Sequence, residues 1–198
     1  MARRRRSDTS PPGRLRIVAG NWRGRFLDIA GVEGLRPTSE RIRETLFNWL
    51  APTIRGARCL DLYAGTGALG LEALSRGAAS AVFVEKSPTA ARQLEKNVDA
   101  VGAASAATVI RADATGFLRG PGDRQFDVVF VDPPFADDLL EETCRLLAAT
   151  GRLAGDALVY LENDRSRSEP ALPPGWRVLK DKTAGKVRYM LARADGSE

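Results

Sequence analysis

The chain contains no histidine. That absence removes Ser-His-Asp and Cys-His nucleophilic machinery, the HExxH zinc site and any imidazole general base. Cysteine is scarce as well. Cys59 and Cys144 lie far apart and neither sits in a CxxC pair, which excludes a disulfide framework and a thiolate zinc site. Both are expected to be small core residues, and no metal site is expected. No apolar run approaches the roughly 20 residues that a membrane helix needs. After the basic start, Met1 to Arg6, Ser7 to Gly13 occupies the place where a signal peptide would need an apolar segment. The expectation is therefore a cytoplasmic protein without membrane contact. Its chemistry must run on carboxylates, backbone groups, hydroxyls or a cofactor.

What is present suits one folded domain with a proper core. The 198 residues are 43% hydrophobic, too apolar for a disordered chain. The formal charge of +5 is unevenly spread. Residues 1–58 carry 13 basic and 5 acidic side chains, a net of +8, which leaves −3 for residues 59–198. Every basic residue in the first segment is arginine, whose planar fork matches phosphate bidentately and stacks on bases. This bias suits nucleic acid. Residues 1–13 read as a flexible basic arm, ending in Ser10-Pro11-Pro12-Gly13. Arg3 to Arg6 alone divides evenly between a solvated tail and a weak phosphate-binding arm.

Leu15–Ala19 alternates like a strand, Gly20-Asn21-Trp22-Arg23-Gly24 carries turn chemistry, and Arg25–Ile29 reads as a return strand. The pattern predicts a small β-hairpin displaying Trp22, Arg23 and Arg25. A helix follows over about Ser39–Leu50 with Thr38 as N-cap. Ile42, Leu46, Trp49 and Leu50 form its apolar face, leaving Arg41 and Arg43 off it. From Arg58 strands alternate with helices. Strands are expected at Arg58–Tyr63, Ala81–Glu85, Thr108–Arg111, Val128–Asp132 and Ala157–Glu162, helices near Ala68–Arg76, Thr89–Val101, Thr115–Leu118 and Asp138–Ala149. Such alternation implies an α/β fold with a mostly parallel sheet. Trp176–Asp181 and Lys186–Ala192 read as an antiparallel hairpin that finishes it.

Two constellations carry chemistry. The first is Asp61-Leu62-Tyr63-Ala64-Gly65-Thr66-Gly67-Ala68-Leu69-Gly70 at the end of the first sheet strand. Gly65 and Gly67 permit a tight turn close to a ligand, and Gly70 suits close helix–strand packing. By itself this Gly-x-Gly-x-x-Gly fits nicotinamide dinucleotides as well as other adenosine cofactors. Asp61 tilts the choice, because a carboxylate there repels a pyrophosphate and suits a cation. S-adenosylmethionine carries an ammonium and a sulfonium. Glu85, ending the second strand, is placed to accept both ribose hydroxyls. Asp113, ending the third, is placed to hold the adenine amine or to cap the next helix.

The second constellation is the apolar strand Phe126–Val131 running into Asp132-Pro133-Pro134-Phe135. Two prolines fix the backbone, aiming the Asp132 carboxylate and the Pro133 carbonyl at one point beside the flat Phe135 ring. A planar base with an exocyclic amine fits there: the amine donates two hydrogen bonds and the ring stacks.

Together these motifs resemble the amino-methyltransferases dependent on S-adenosylmethionine. Arg16-Ile17-Val18-Ala19-Gly20-x-Trp22-Arg23-Gly24-Arg25, Leu35-Arg36-Pro37-Thr38, and Arg41 with Arg43–Asn48 narrow the match, as does Ala64–Gly77. Over residues 14 to 192 the chain resembles the RsmD family, the bacterial 16S rRNA (guanine-966-N2)-methyltransferases. Asp132 stands where many relatives of the wider superfamily have asparagine, which favours a guanine amine over an adenine amine.

The resemblance implies a Rossmann-like methyltransferase fold: a seven-stranded, mostly parallel sheet with an antiparallel C-terminal hairpin, plus a small N-terminal β-hairpin extension. It implies S-adenosyl-L-methionine as cofactor, held by Thr38, Asp61, Tyr63, Ala64, Gly65, Gly67, Glu85, Asp113 and Ala114. Asp132, Pro133, Pro134 and Phe135 would be catalytic. Residues 14–57 would engage RNA, with Arg16, Trp22, Arg23, Arg25, Arg36, Arg41 and Arg43 as contacts, and 58–198 would form the methyltransferase domain. For Trp22, packing on that domain is the equal alternative to stacking on a base. The implied partner is 16S rRNA, naked or in the small subunit or its assembly intermediate, and not DNA. A monomer is expected. The proton acceptor stays open between Asp132 and water. An NAD(P)-dependent oxidoreductase would leave Asp61 and Asp132–Phe135 without purpose. A non-catalytic RNA-binding factor would not need them intact.

Overall fold

The computed structural model describes residues 13–32, 38–135 and 139–194. Most of the basic arm, and Arg36, lie outside these residues. A two-stranded antiparallel ribbon opens the chain, β1 (Arg14–Arg16) paired with β2 (Phe26–Asp28). Helix α1 (Glu40–Leu50) follows. The main sheet then builds as β3 (Arg58–Asp61), α2 (Ala68–Ser75), β4 (Ser80–Glu85), α3 (Pro88–Ala100), β5 (Ala107–Arg111), α4 (Ala114–Arg119), β6 (Phe126–Val131), α5 (Leu140–Ala149) and β7 (Leu153–Asp164). It closes on the hairpin β8 (Trp176–Ala184) and β9 (Val187–Ala194).

The seven strands run in the order β5-β4-β3-β6-β7-β9-β8, parallel from β5 to β7, with β9 antiparallel to both its neighbours. The expected architecture is thus present. After β5 the chain crosses back to place β6 beside β3. The crevice at the carboxyl ends of these strands is where open α/β sheets bind ligands.

Strand alternation sends residues to two cores. Cys59, Phe83, Val128, Phe130 and Tyr160 face one side with α1, α2 and α3, while Leu60, Val84, Val129, Val131 and Leu161 face the other with α4 and α5. Both cysteines are buried and free. Burial pushes their thiols up, as expected of inert core residues. Leu15, Ile17, Leu27, Ile42 and Phe47 share the first of these cores, so the N-terminal segment has no separate core of its own.

Three local expectations shift. The N-cap of α1 is Ser39, whose Oγ accepts the Ile42 N–H at 3.3 Å, and not Thr38. The Thr38 hydroxyl is used elsewhere, on Asp132. The N-terminal strands are shorter than the alternation predicts because Val18 and Ala19 direct their N–H groups to the Glu72 carboxylate, both at 2.9 Å, rather than to a partner strand. Third, Arg43 is not on the solvent face of α1. It is 1% exposed, and its guanidinium donates to Glu72 at 3.1 Å, to the Arg16 carbonyl at 2.8 Å and to the Thr38 carbonyl at 3.2 Å.

Gly70 shows why a side chain is excluded at the start of α2. A Cβ there would lie 2.2 Å from Cε1 of the fully buried Phe83. Gly70→Ala is expected to destabilise the protein by about 1–3 kcal/mol through overpacking. Urea unfolding of the two proteins measures it, and equal midpoints would show that β4 and α2 are not in the contact described.

Candidate active site

The glycine turn comes first along the chain. Gly65 and Gly67 take positive φ values of 52° and 78°, the conformation that lets the backbone leave β3 and enter α2 in a few residues. Gly67 also lacks room for a side chain, since a Cβ would meet Leu94 Cδ1 at 2.4 Å. The turn is pinned by acids. Asp61 accepts the Gly70 N–H at 3.1 Å, and Glu85 accepts the Gly65 N–H at 2.8 Å and the Ser87 N–H at 2.6 Å. Asp113 is the N-cap of α4, accepting from Gly116 N–H at 3.0 Å and from the Thr115 hydroxyl. These bonds hold its carboxyl below the usual range. Tyr63 shares a 2.6 Å hydrogen bond with the Thr143 hydroxyl of α5.

A cavity of about 940 Å³ opens over this edge of the sheet. Thr38, Asp61, Tyr63, Ala64, Gly65, Glu85, Asp113 and Ala114 line it, as do Asp132, Pro133, Pro134 and Phe135. Gly67 shapes the turn but is not among the residues that line the cavity. All the residues expected around the cofactor and the reacting amine, apart from Gly67, thus meet at one place.

Acids outnumber bases around the cavity, with Asp61, Glu85, Asp113, Asp132, Glu162 and Asp164 against Lys86 and Lys186. Burial pushes the Asp61 carboxyl up to about 7, and Asp132 and Glu85 add to the shift, opposed only by the Gly70 N–H. Asp132 is pushed up to about 6 by burial, against the hydrogen bond that its Oδ2 accepts from the Thr38 hydroxyl at 3.3 Å. A cationic ligand relieves both. A dinucleotide's pyrophosphate would aggravate them.

Three residues of the site were missed in the sequence. Glu162, near the end of β7, is 4% exposed yet lines the cavity, and accepts the Tyr160 hydroxyl at 2.8 Å. The signal was available, because Glu162 ends its expected strand as Asp61 and Glu85 end theirs. Arg167 donates to the carbonyl of Phe135, tying the turn after β6 to the loop after β7. Lys186, at the β8–β9 turn, lines the cavity. Neither had a local motif to mark it.

The expected RNA contacts divide. Arg23, Arg25 and Arg41 are exposed, and so is Arg16, which lies 3.4 Å from Glu40. Trp22 is half-buried against the core, with its backbone N–H on Ser75 Oγ, so packing accounts for much of its surface. Arg43 is withdrawn as a phosphate contact, since its charge is buried and its donors are engaged. Phe26, 59% exposed between Arg25 and Leu27, is a flat apolar face that the sequence reading did not consider. Trp49 packs as expected, its ring stacked on Tyr189 with centroids 5.5 Å apart.

A glycine turn cradled by acids, an Asp-Pro-Pro-Phe turn across the same cavity and a sheet finished by an antiparallel hairpin are the marks of an S-adenosyl-L-methionine-dependent methyltransferase. The comparisons with known proteins agree. The family model described as "Conserved hypothetical protein 95" matches residues 15–193. "Ribosomal RNA small subunit methyltransferase D" of Escherichia coli (strain K12) is 48% identical over 182 residues, covering 92% of this chain and 91% of that protein. The solved structure of "Putative methyltransferase yhhF" from Escherichia coli has a TM-score of 0.85 at 45% identity, covering 93% of this chain and all of that one. An RNA methyltransferase from Salinibacter ruber, solved with S-adenosyl-L-homocysteine, shares the fold at a TM-score of 0.63 and 15% identity, over 82% of this chain and 96% of its own. The chain belongs to the RsmD family.

Proposed function

We propose that this protein methylates the exocyclic N2 amine of one guanine in small-subunit rRNA, guanine 966 by family resemblance. The observation that carries the reading is Asp132. It is a carboxylate set in the wall of the cofactor cavity, with Oδ2 on Thr38 and no described protein partner on Oδ1. The small-subunit rRNA specificity named for the Escherichia coli relative supports the choice of substrate.

The roles follow from the chemistry. Asp61 would face the cationic methionine end of the cofactor, Glu85 the ribose hydroxyls and Asp113 the adenine amine. Each Glu85 oxygen carries one backbone bond and retains acceptor capacity for a hydroxyl. When bound, the cofactor supplies a methyl group on a sulfonium, an electrophile that needs no metal. A guanine amine is a weak nucleophile because its lone pair is delocalised into the ring. Hydrogen bonds from the amine to Asp132 and the Pro133 carbonyl favour a pyramidal nitrogen with its lone pair directed at the methyl. The acceleration comes from in-line placement and from negative charge beside a nitrogen becoming positive. Phe135 offers the stacking face, worth about 1–3 kcal/mol per base, and the Arg167 bond to its carbonyl holds that face in place.

Arg16, Arg23, Arg25 and Arg41, with Phe26 and the exposed edge of Trp22, form the proposed RNA face. Its binding is expected to weaken steeply with salt, with a log–log slope of about −0.7 to −0.9 per phosphate contacted. Incubation with labelled cofactor and unmodified small subunits tests the reading. Label in the rRNA is expected, and label confined to ribosomal protein, or salt-insensitive RNA affinity, would contradict it.

A further inference from the structure

Beside the half-buried Asp132 stands a fully buried carboxyl, Glu162, to which the chemistry above gives no work. In the parallel register of β6 and β7, Val131 lies opposite Leu161, so the next residues, Asp132 and Glu162, come side by side at the carboxyl edge of the sheet. Both line the cavity. The Thr38 hydroxyl, donating to Asp132 at 3.3 Å, also acts on Glu162, holding its carboxyl down against the effect of burial. A hydroxyl carries one proton, so Thr38 serves one carboxylate as donor while accepting from the other carboxyl in its acid form.

We propose that Asp132 and Glu162 act as one two-carboxyl unit, bridged by Thr38, which gives up a shared proton when the sulfonium cation binds and takes one back from the substrate amine after transfer. The proposal rests on the methyltransferase reading above and adds a destination for the proton. Once the amine nitrogen has gained its methyl group, one of its N–H bonds breaks, the electron pair stays on nitrogen and an Asp132 oxygen gains the proton. The unit then holds one proton again, shared with Glu162 through Thr38. No oxidant, reductant or further reactant is needed.

The surroundings support this. Burial and the neighbouring Asp132 push Glu162 up, and burial pushes Asp132 up, so one proton shared between the two is favoured over two bare carboxylates side by side. Facing Glu162 are Asp132 from β6, Tyr160 on its own strand, Tyr189 opposite it on β9, and Thr38 before α1. Burial holds Tyr160 well above its usual range, so it stays a neutral donor. Asp61 adds negative charge near Asp132, and Lys86, Asp164 and Lys186 also line the cavity. The sign is definite. A cation in the cavity lowers both carboxyls and expels the proton, whereas loss of that cation invites it back.

Calorimetry in buffers of different ionisation enthalpy tests the proposal without turnover. At pH 7 the intact protein is expected to release about one more proton on binding S-adenosylmethionine than on binding S-adenosylhomocysteine. The two ligands share the ammonium that faces Asp61 and differ in the sulfonium, so the difference isolates the unit. Glu162→Gln should bind both and lose the difference. In the unaltered protein, the ratio of the two affinities should favour the sulfonium up to about 10-fold more per pH unit between pH 6 and 8. That measurement stands even if the variant does not fold. Equal proton release for the two ligands, or a pH-independent ratio, would overturn the proposal while leaving the methyltransferase reading intact. Failure of either ligand to bind would instead strike at that reading.

Discussion

Asp132→Ala is expected to lower kcat by at least about 10²–10³-fold, with affinity for S-adenosylmethionine changed only modestly. The magnitude is that of removing one fixed electrostatic partner from a developing charge. Here the same residue also orients the lone pair, which places the loss at the upper end or beyond. The place of Asp132 in the cavity wall, half-buried with the Thr38 hydroxyl on one oxygen, is what fixes it. Asp61, Glu85 and the glycine turn keep their own hydrogen bonds in the variant, so the cofactor site persists. Single-turnover rates alongside equilibrium binding separate the two effects. Near-normal turnover in Asp132→Ala would remove the central residue of the mechanism.

Glu72→Ala is expected to cost about 3–5 kcal/mol of stability, the usual penalty for stranding a buried charge. Glu72 is fully buried in α2 and accepts four bonds, from Val18 N–H, Ala19 N–H, Arg43 and Arg76. Truncation leaves the Arg43 guanidinium, 1% exposed, without its counter-charge and orphans two backbone donors. The N-terminal ribbon is clamped to the sheet domain through this carboxylate and through Ser75, which donates to the Ala19 carbonyl at 2.6 Å. Faster amide exchange at Val18 and Ala19 should accompany the drop in the urea midpoint. Unchanged stability would mean that Arg43 escapes to solvent and is available to RNA after all.

The fate of Arg43 marks where the sequence stopped being legible. Helical spacing put it off the apolar stripe, and an arginine there reads as solvated. Its burial depends on Glu72, 29 residues later on another helix, and no local pattern reports a partner that arrives by tertiary packing. The short strands of the ribbon have the same cause, since Val18 and Ala19 turn to that carboxylate too. By contrast, Asp61, Glu85 and Asp132 were readable because each follows or ends an apolar strand. In a parallel sheet all such ends lie on one edge, so strand-end acids converge without any knowledge of contacts. Glu162 obeyed the same rule and was passed over because its strand lacked a glycine or proline turn to draw attention. Thr38 has a capping pattern in the sequence, but Ser39 fills that role, which leaves the Thr38 hydroxyl to bond Asp132.

The two halves of the charge distribution acquire separate work. The arginines of the first 58 residues supply an exposed face at Arg16, Arg23, Arg25 and Arg41 and an internal clamp at Arg43. The acids of the sheet edge surround a cavity that favours a cation. The lack of histidine sets no obstacle, because placement and paired carboxyls supply what an imidazole would.

The central claim is the identity of the acceptor atom. Small ribosomal subunits lacking the modification, incubated with the protein and S-adenosylmethionine, should carry the new methyl group on one nucleotide when the rRNA is digested and analysed by mass spectrometry. N2-methylguanine at a single small-subunit position is the result expected. N6-methyladenine, a ring-nitrogen or 2′-O-methyl product, or methylation scattered over many guanines would contradict the account.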